Sequence, residues 1–429
     1  MTAFSVRTLG PCSFASPLAL STAFVSDDAR VLDQVELTRG GSVDVSRAFE
    51  KAGPRQKNFF EPKKTRAAIV TAGGICPGIN NVIRTIVLQL FHRYGVSEVF
   101  GFRYGFAGLD PTSGFAVMPL GPKEVLHIHT LGGTILGTSR GAHDPRVMVD
   151  TLVANRIDVL FAIGGDGTMR GLHAIAEEVE RRKLSIACVG VPKTIDNDIA
   201  FVDKTFGFET AVAMARIAID AAHTEAVSMR GGIGLVKLMG REAGFIAAHA
   251  SLASHDVNLC LVPEVPFEVD GPNGLLAWLE ARVESRGHAV IVVAEGCGAH
   301  LVRPSQAPKD ASGNVSFQSG DLDIGAHLKE RIVEHFAAKK TPVNVKYIDP
   351  SYMVRGVRAD ANDAVFCDEL ARAAVHAAMA GKTDVMVGRW HRAFTHVPVP
   401  LALSEKKRID PNRELWFAVT ETTGQPRLG

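Results

Sequence analysis

Gly190 to Ile199 read GVPKTIDNDI and gather more reactive chemistry than any other stretch of this chain. The apolar run before them, Ser185 to Val189, predicts a strand running into a loop. That loop carries two carboxylates (Asp196, Asp198), a hydroxyl (Thr194), an amide (Asn197) and a cation (Lys193). Two acids one residue apart in a non-helical segment point to different tasks, one toward a substrate proton and one toward a metal. Taken alone, the segment also admits an ordinary turn as the less favoured reading, since Asp and Asn are common turn residues. Ile163 to Met169, IGGDGTM, argues against that plain alternative. Its glycines let the main chain approach an anion, and the helix expected after it supplies a positive N-terminus. Asp166 at its centre repels a bare phosphate, so it is expected to hold Mg2+ that binds one. No GxxxxGK[ST] is present, so this is not a Walker loop. Gly132 to Ala142, GGTILGTSRGA, adds a second glycine-rich segment, with Arg140 suited to bridging a donor and a transferred phosphate.

These segments need a scaffold, and the pattern from Arg66 onward supplies one. AAIVTAGG (Ala67 to Gly74) predicts a buried strand, and PGINNVIRTIVLQLFHRY (Pro77 to Tyr94) a helix with Pro in its first turn. Further strands are expected at SEVFGFRYG, Ile157 to Gly165, Gly232 to Gly240, VNLCLVPE, HAVIVVAEG, VNVKYID and DVMVGRW. Helices are expected from Met169 to Lys183, at EAGFIAAHASLA, NGLLAWLEARVES and LDIGAHLKERIVEHFAA, and from Asn362 to Ala380. Apolar strands alternating with amphipathic helices predict an α/β fold with parallel sheets covered on both faces, here as two doubly wound, Rossmann-like lobes. Residues 1–65 differ, with frequent Pro, Gly and Ser. Their apolar clusters (Leu18-Ala19-Leu20, Phe24-Val25) suggest an N-terminal arm or partial subdomain packed on the body. In doubly wound folds ligands bind beyond the C-terminal ends of strands. Five polar sets fall at such ends: Gly73-Gly74, Gly164 to Thr168, Lys193 to Asp198, Met239-Gly240-Arg241 and Glu295-Gly296.

Composition narrows the function classes. The chain has 429 residues, 46% hydrophobic and 22% charged, enough for an ample core and more than one folding unit. A formal net charge of +1 provides no global field for nucleic acid or an anionic membrane, and no apolar run reaches the length of a membrane span. The six cysteines lie far apart in sequence without a CxxC pair, which fits reduced thiols and a cytoplasmic protein. Cys76 is the candidate for reactivity, beside a glycine pair and a helix start, although packing is the favoured role. His127 and His129 would share one face of a strand, but no acidic or cysteine partner stands nearby for zinc.

The set TAGGICPGINNVIR, GGTILGTSR, IGGDGT, PKTIDNDI, KLMGREAGFIA, VPEVPF, AEG and YMVRG resembles the phosphofructokinase superfamily, in order over roughly residues 66 to 390. KAGPRQKNFFEP in the N-terminal segment is similar to the long ATP-dependent enzymes of plants and trypanosomatids. GGDGT also occurs in NAD kinases and diacylglycerol kinases, but those do not resemble PKTIDND or MGREAGF. The resemblance implies transfer of a phosphoryl group to the 1-hydroxyl of fructose 6-phosphate in glycolysis, with Mg2+. A catalytically silent, sugar-phosphate-binding paralogue is disfavoured because every expected catalytic position is filled. By resemblance Asp196 is the general base, assisted by Lys193, Arg140 and Gly167, with Asp166 on Mg2+ and Asp198 supporting the metal through water. Gly73, Arg140, Gly141, Gly165, Gly167 and Thr168 would contact the donor. Thr194, Met239, Gly240, Arg241 and Glu295 would bind the sugar, and Tyr352 and Arg355 would finish the sugar-phosphate pocket. The implied domains are a donor lobe over 66–205, rejoined by part of 356–429, and a sugar-phosphate lobe over 206–355. A homo-oligomer, dimer or tetramer, is also implied.

Three positions depart from the short bacterial pattern. Where that enzyme has an arginine reaching across a subunit boundary to the 6-phosphate, this chain has Gly232. A pocket arginine corresponds to Lys346 and a pocket histidine to Tyr352, so the 6-phosphate clamp is rebuilt with Lys346 as the expected replacement. The donor cues disagree: pyrophosphate users in the superfamily have an aspartate after GGD and a lysine before TIDND, and this chain has Gly167 and Lys193. Glycine leaves room beside a nucleotide's α-phosphate, whereas a flexible lysine serves either donor. ATP is therefore the expected donor and pyrophosphate the alternative.

Overall fold

Long apolar runs become strands buried on both faces. Val159–Gly164 and Ala187–Pro192 are buried at every residue, as sequences sandwiched between helix layers must be. The computed structural model describes residues 3–18, 24–36, 39–298 and 323–428; Ala19, Leu20 and Leu322 of the expected elements lie outside them. The chain divides into two units. One comprises Met1–Ile195, Ile199–Gly207 and Gly356–Lys406, the other Asp196–Asp198, Phe208–Arg355 and Lys407–Gly429.

The first unit is built on a nine-stranded sheet in the order Arg30–Leu32, Ala48–Lys51, Ala393–Pro398, Val385–Trp390, Ala187–Pro192, Val159–Gly164, Arg66–Thr71, Glu98–Phe102, Met118–Pro119. Its five strands from Val385–Trp390 to Glu98–Phe102 are parallel, and the strands outside them are antiparallel. Helix Ile79–Gln89 packs against helix Ala361–Met379, and Pro145–Ala154 against Asp166–Arg181. In the second unit Leu259–Leu261, His288–Ala294, Gly232–Leu238 and Asn344–Ile348 form a parallel four-stranded sheet in that order. Helix Phe208–Val227 packs on its strands and on helix Phe245–Ser254. This is the α/β architecture of two parallel-sheet lobes.

The N-terminal residues join the first unit by pairing. Two of their strands extend the large sheet, Arg7–Thr8 pairs with Lys382–Thr383, and Phe14–Ala15 pairs with Lys57–Asn58. Arg7 ties this arm to Glu177, Glu180 and Asp384. Buried Glu50 accepts from Arg55 at 3.0 Å and lies 3.0 Å from His396 Nδ1 and 2.8 Å from Lys382. Burial alone pushes the Glu50 carboxyl up; His396 and Lys382 outweigh it and hold the group well below the ordinary range.

Local differences from the sequence expectations have backbone causes. The helix expected from Pro77 starts at Ile79, because Gly78 caps it at φ 102°, where a Cβ would lie 2.5 Å from Cys367 Sγ and 3.1 Å from the Phe206 ring. The helix expected from Met169 begins at Asp166, so Asp166, Gly167 and Thr168 of GGDGT enter its first turn, while Gly164 ends the strand and Gly165 caps the helix. His127 precedes a short 3-10 turn, Ile128–Thr130, and the two histidines are not on a strand. Cys76 is buried, with Sγ 3.2 Å from the Phe206 carbonyl, and packs. No described helix is long and apolar enough to cross a membrane.

Candidate active site

In the first unit, three strand ends bring glycine main chain and cations together. Gly73 takes φ 85°, and its N–H donates to the Ser139 carbonyl at 3.0 Å. Thr138 Oγ1 donates to the Gly73 carbonyl at 2.6 Å, which docks the GTSR segment on the TAGG turn. Lys193, 6% exposed, donates from Nζ to the Gly74 carbonyl at 2.6 Å, and its N–H donates to the Gly164 carbonyl at 2.9 Å. A Cβ on Gly74 would lie 3.7 Å from an Arg140 guanidinium nitrogen, and one on Gly165 would lie 3.2 Å from the Lys193 carbonyl. Gly73, Arg140, Gly165 and Lys193 are therefore neighbours around the start of helix Asp166–Arg181. That helix end favours anions through its N–H groups and its dipole.

Within the helix start, side-chain volume sorts the positions. A Cβ on Gly164 would overlap Thr168 Oγ1 at 2.0 Å, so that glycine is required for the buried Thr168 to fit. A Cβ on Gly167 or on Gly141 would meet nothing within 4 Å. Asp166 is ion-paired with Lys406, a residue without any motif in the sequence. Thr194 is half-buried, and its carbonyl accepts from Thr205 Oγ1 at 2.6 Å.

The second unit gathers the remaining acids. Asp196, Asn197 and Asp198 form a turn in which Asn197 takes φ 57°, a left-handed conformation that Asn tolerates better than most residues. Lys407 holds this turn: its N–H donates to the Asp198 carbonyl at 3.0 Å, and Nζ donates to Asn197 Oδ1 at 2.9 Å. Burial raises the Asp196 carboxyl well above the ordinary range, and the Asp198 and Glu295 charges push the same way. The Arg241 N–H and guanidinium oppose that shift without cancelling it. Glu295 is also raised, chiefly by burial, with Arg241, Lys237 and Arg355 pulling it down. Gly296 must be glycine, since its Cβ would sit 1.8 Å from the Arg241 carbonyl. Its N–H donates to the Gly240 carbonyl at 3.0 Å, so the MGR turn and the AEG turn are fastened together. Gly240 itself takes φ 134°, and Met239 beside it is half-buried.

The sugar-phosphate candidates are less uniform. Arg355 and Tyr352 share helix Ser351–Gly356, with the Arg355 guanidinium 4.7 Å over the Tyr352 ring. Arg355 acts on Glu295 and so belongs with the acids, whereas Tyr352 is 73% exposed. Lys346 is half-buried in the edge strand Asn344–Ile348, opposite Gly234 and one residue before Tyr347, which points to the other face and bonds Asp323. Lys346 and Tyr347, as neighbours in a strand, thus face opposite sides of the sheet. At Gly232 a Cβ would lie 2.0 Å from the Ala226 carbonyl, which leaves no room for an arginine on this backbone.

Three lysines escaped the sequence reasoning. Lys237 is buried between Asp323 (2.6 Å) and Asp349 (2.9 Å); a lone charge inside GIGLVKLMG was the available signal. Lys406 and Lys407 offered none, because a KKR run reads as solvated surface.

A family model described as Phosphofructokinase matches residues 66–378. The chain belongs to the phosphofructokinase family. The ATP-dependent 6-phosphofructokinase of Borreliella burgdorferi is 45% identical over 436 residues, covering 99% of this chain and 97% of that protein. The chloroplastic ATP-dependent 6-phosphofructokinase 5 of Arabidopsis thaliana is 46% identical over 382 residues, covering 89% of this chain and 70% of that one. Among solved structures, a pyrophosphate-dependent phosphofructokinase from Marinobacter aquaeolei matches with a TM-score of 0.67 at 20% identity, over 85% of this chain and 92% of that chain. That likeness is one of fold. The phosphofructokinase match ends before Lys406 and Lys407, which lie outside its residues.

Proposed function

We propose that this phosphofructokinase transfers the γ-phosphoryl group of ATP to the 1-hydroxyl of fructose 6-phosphate, releasing ADP and fructose 1,6-bisphosphate, a step of glycolysis. The observation that carries this is the 45% identity, across nearly the whole of both chains, to a relative named for that activity. The open space at Gly167 supports ATP over pyrophosphate, since a side chain there would meet the nucleotide's α-phosphate.

In this account Asp196 takes the proton of the 1-hydroxyl as its oxygen attacks the γ-phosphorus, and the electrons of the broken P–O bond leave on ADP. A carboxyl whose pKa is raised is the stronger base once ionised. Gly73, Gly165, Gly167, Thr168 and Gly141 provide main chain and space for the donor. Arg140 and Lys193 balance its phosphoryl charge. Most of the catalysis is positioning and charge neutralisation, as suits a loose transition state. Asp166 fits Mg2+, because its carboxylate at the helix start already attracts a cation, the Lys406 ammonium. Mg2+ bound there, with Asp198 assisting through water, would neutralise charge on the donor phosphates. Thr194, Met239, Gly240, Arg241 and Glu295 hold the sugar, and Lys346, Tyr352 and Arg355 its 6-phosphate.

The enzyme assembles as a homo-oligomer, dimer or tetramer, a reading supported by the exposure of Tyr352 (73%) and Met353 (65%) on one short helix. The acceptor decides the function: with ATP and Mg2+, fructose 6-phosphate is phosphorylated and NAD and diacylglycerol are not. Turnover of either of the latter in place of the sugar phosphate defeats the proposal.

A further inference from the structure

We infer that Lys407 is a positioning residue for phosphoryl transfer: it clamps the turn that carries Asp196. The inference rests on the assignment of Asp196 as the base. Asn197, between the two acids, is held in a left-handed conformation that an unsupported turn leaves readily. Lys407 fixes that turn at two points, through its N–H on the Asp198 carbonyl (3.0 Å) and its ammonium on Asn197 Oδ1 (2.9 Å). The main-chain bond holds the peptide plane that follows Asp198, and the ammonium holds the Asn197 side chain, so two consecutive residues of the turn are fastened to one strut. Because Asp196 directly precedes Asn197, fastening these two residues limits how far the Asp196 backbone, and with it the carboxylate, can shift.

The clamp is itself held from behind. The Lys407 ammonium lies 5.3 Å from the centroid of the Phe245 ring, at the start of helix Phe245–Ser254. Arg408 reaches Glu242 at 3.8 Å, and the Ile409 N–H donates to Glu264 Oε1 at 2.9 Å. Glu264 in turn accepts the Gly244 N–H at 3.1 Å. Residues 407–409 are thus fastened at successive points to the MGREAGF and VPE segments of the same unit. The strut is anchored where the sugar-binding candidates are, and its free function is to hold the Asp196–Asp198 turn. It lies beyond residues 66–378, the span shared with the family model, so that match assigns it no role.

Lys407→Met keeps the stem over Phe245 and the main-chain bond while removing the ammonium donor. Misplacing a reacting group by about 1 Å costs up to about 10²-fold, so kcat should fall about 10- to 100-fold with both KM values within about threefold of wild type. Lys407→Arg restores a donor and should recover most of kcat. Asn197→Gly keeps the left-handed turn without the acceptor, and adding it to Lys407→Met should lower kcat no further. Melting temperatures identify any variant that has lost its fold, and the arginine variant then carries the test. A kcat within threefold of wild type in Lys407→Met overturns the clamp, as do a loss confined to KM, a failure of arginine to rescue, or fully additive losses in the double variant. Asp196→Asn separates the two assignments. If it retains turnover the base assignment fails, and if it is inactive while Lys407→Met is fully active the clamp alone fails.

Discussion

Gly167→Asp separates the two donors at one side chain. Gly167 is exposed as the second residue of helix Asp166–Arg181, has no positive φ, and an added Cβ meets nothing within 4 Å. The fold should therefore accept the change. Leaving glycine recovers a few tenths of a kcal/mol of helix propensity, roughly, and an acid in the first helical turn adds about 0.3–1 kcal/mol. The melting temperature should hold or rise. ATP use should collapse: two unit charges about 5 Å apart at an effective dielectric of about 20 repel by about 3 kcal/mol. That corresponds to roughly 10²-fold in kcat/KM. Pyrophosphate is shorter and places no phosphate there, so its use escapes the penalty and weak activity with it should emerge. The assay is kcat/KM for both donors in wild type and variant, alongside thermal unfolding. A folded variant that keeps ATP kcat/KM within threefold of wild type refutes the reasoning, because Gly167 would then not decide the donor.

Asp196→Asn should lower kcat by about two to four orders of magnitude with little change in the fructose 6-phosphate KM, as steady-state kinetics will report. The same variant tests the raised carboxyl pKa. A carboxyl raised by folding stabilises the folded state while protonated and loses that contribution as pH rises through its folded value. Wild type should therefore melt progressively below Asp196→Asn as pH is raised from about 4 to about 8, the interval between the ordinary and the folded value, and parallel curves across that interval would contradict the shift. Lys346→Ala should weaken fructose 6-phosphate binding by about 1.5–3 kcal/mol and leave ATP binding nearly unchanged; unchanged sugar affinity would assign the clamp to Arg355 and other residues. Gly232→Arg should lower stability by about 1–3 kcal/mol or more without improving sugar-phosphate affinity, because the Ala226 carbonyl occupies the Cβ position; a denaturant titration checks it.

The two-lobed α/β architecture was legible because strands buried on both faces leave unbroken apolar runs such as VLFAIG and HAVIVVA. The antiparallel additions were not, since Arg30–Leu32, Ala48–Lys51 and Met118–Pro119 are two to four residues long and carry no period. Helix starts moved where glycine geometry set them, at Gly78 and within GGDGT. Candidate residues clustered at glycine-rich strand ends stood out because those positions have few packing reasons to be polar. Lys406 and Lys407 did not, because a partner far away in sequence defines their place, and nothing in a short basic run distinguishes a clamp from solvated surface. Lys237 was in plain view: a charge inside a fully buried strand requires partners, and Asp323 and Asp349 are those partners.

The central claim is that ATP is the phosphoryl donor to fructose 6-phosphate. Its most direct test is the initial rate of fructose 1,6-bisphosphate formation by the purified wild-type protein with Mg2+, measured with ATP and with pyrophosphate side by side at equal concentrations. The account predicts rapid turnover with ATP, one ADP released per bisphosphate formed, and little or none with pyrophosphate. A faster rate with pyrophosphate, or no bisphosphate with either donor, contradicts it.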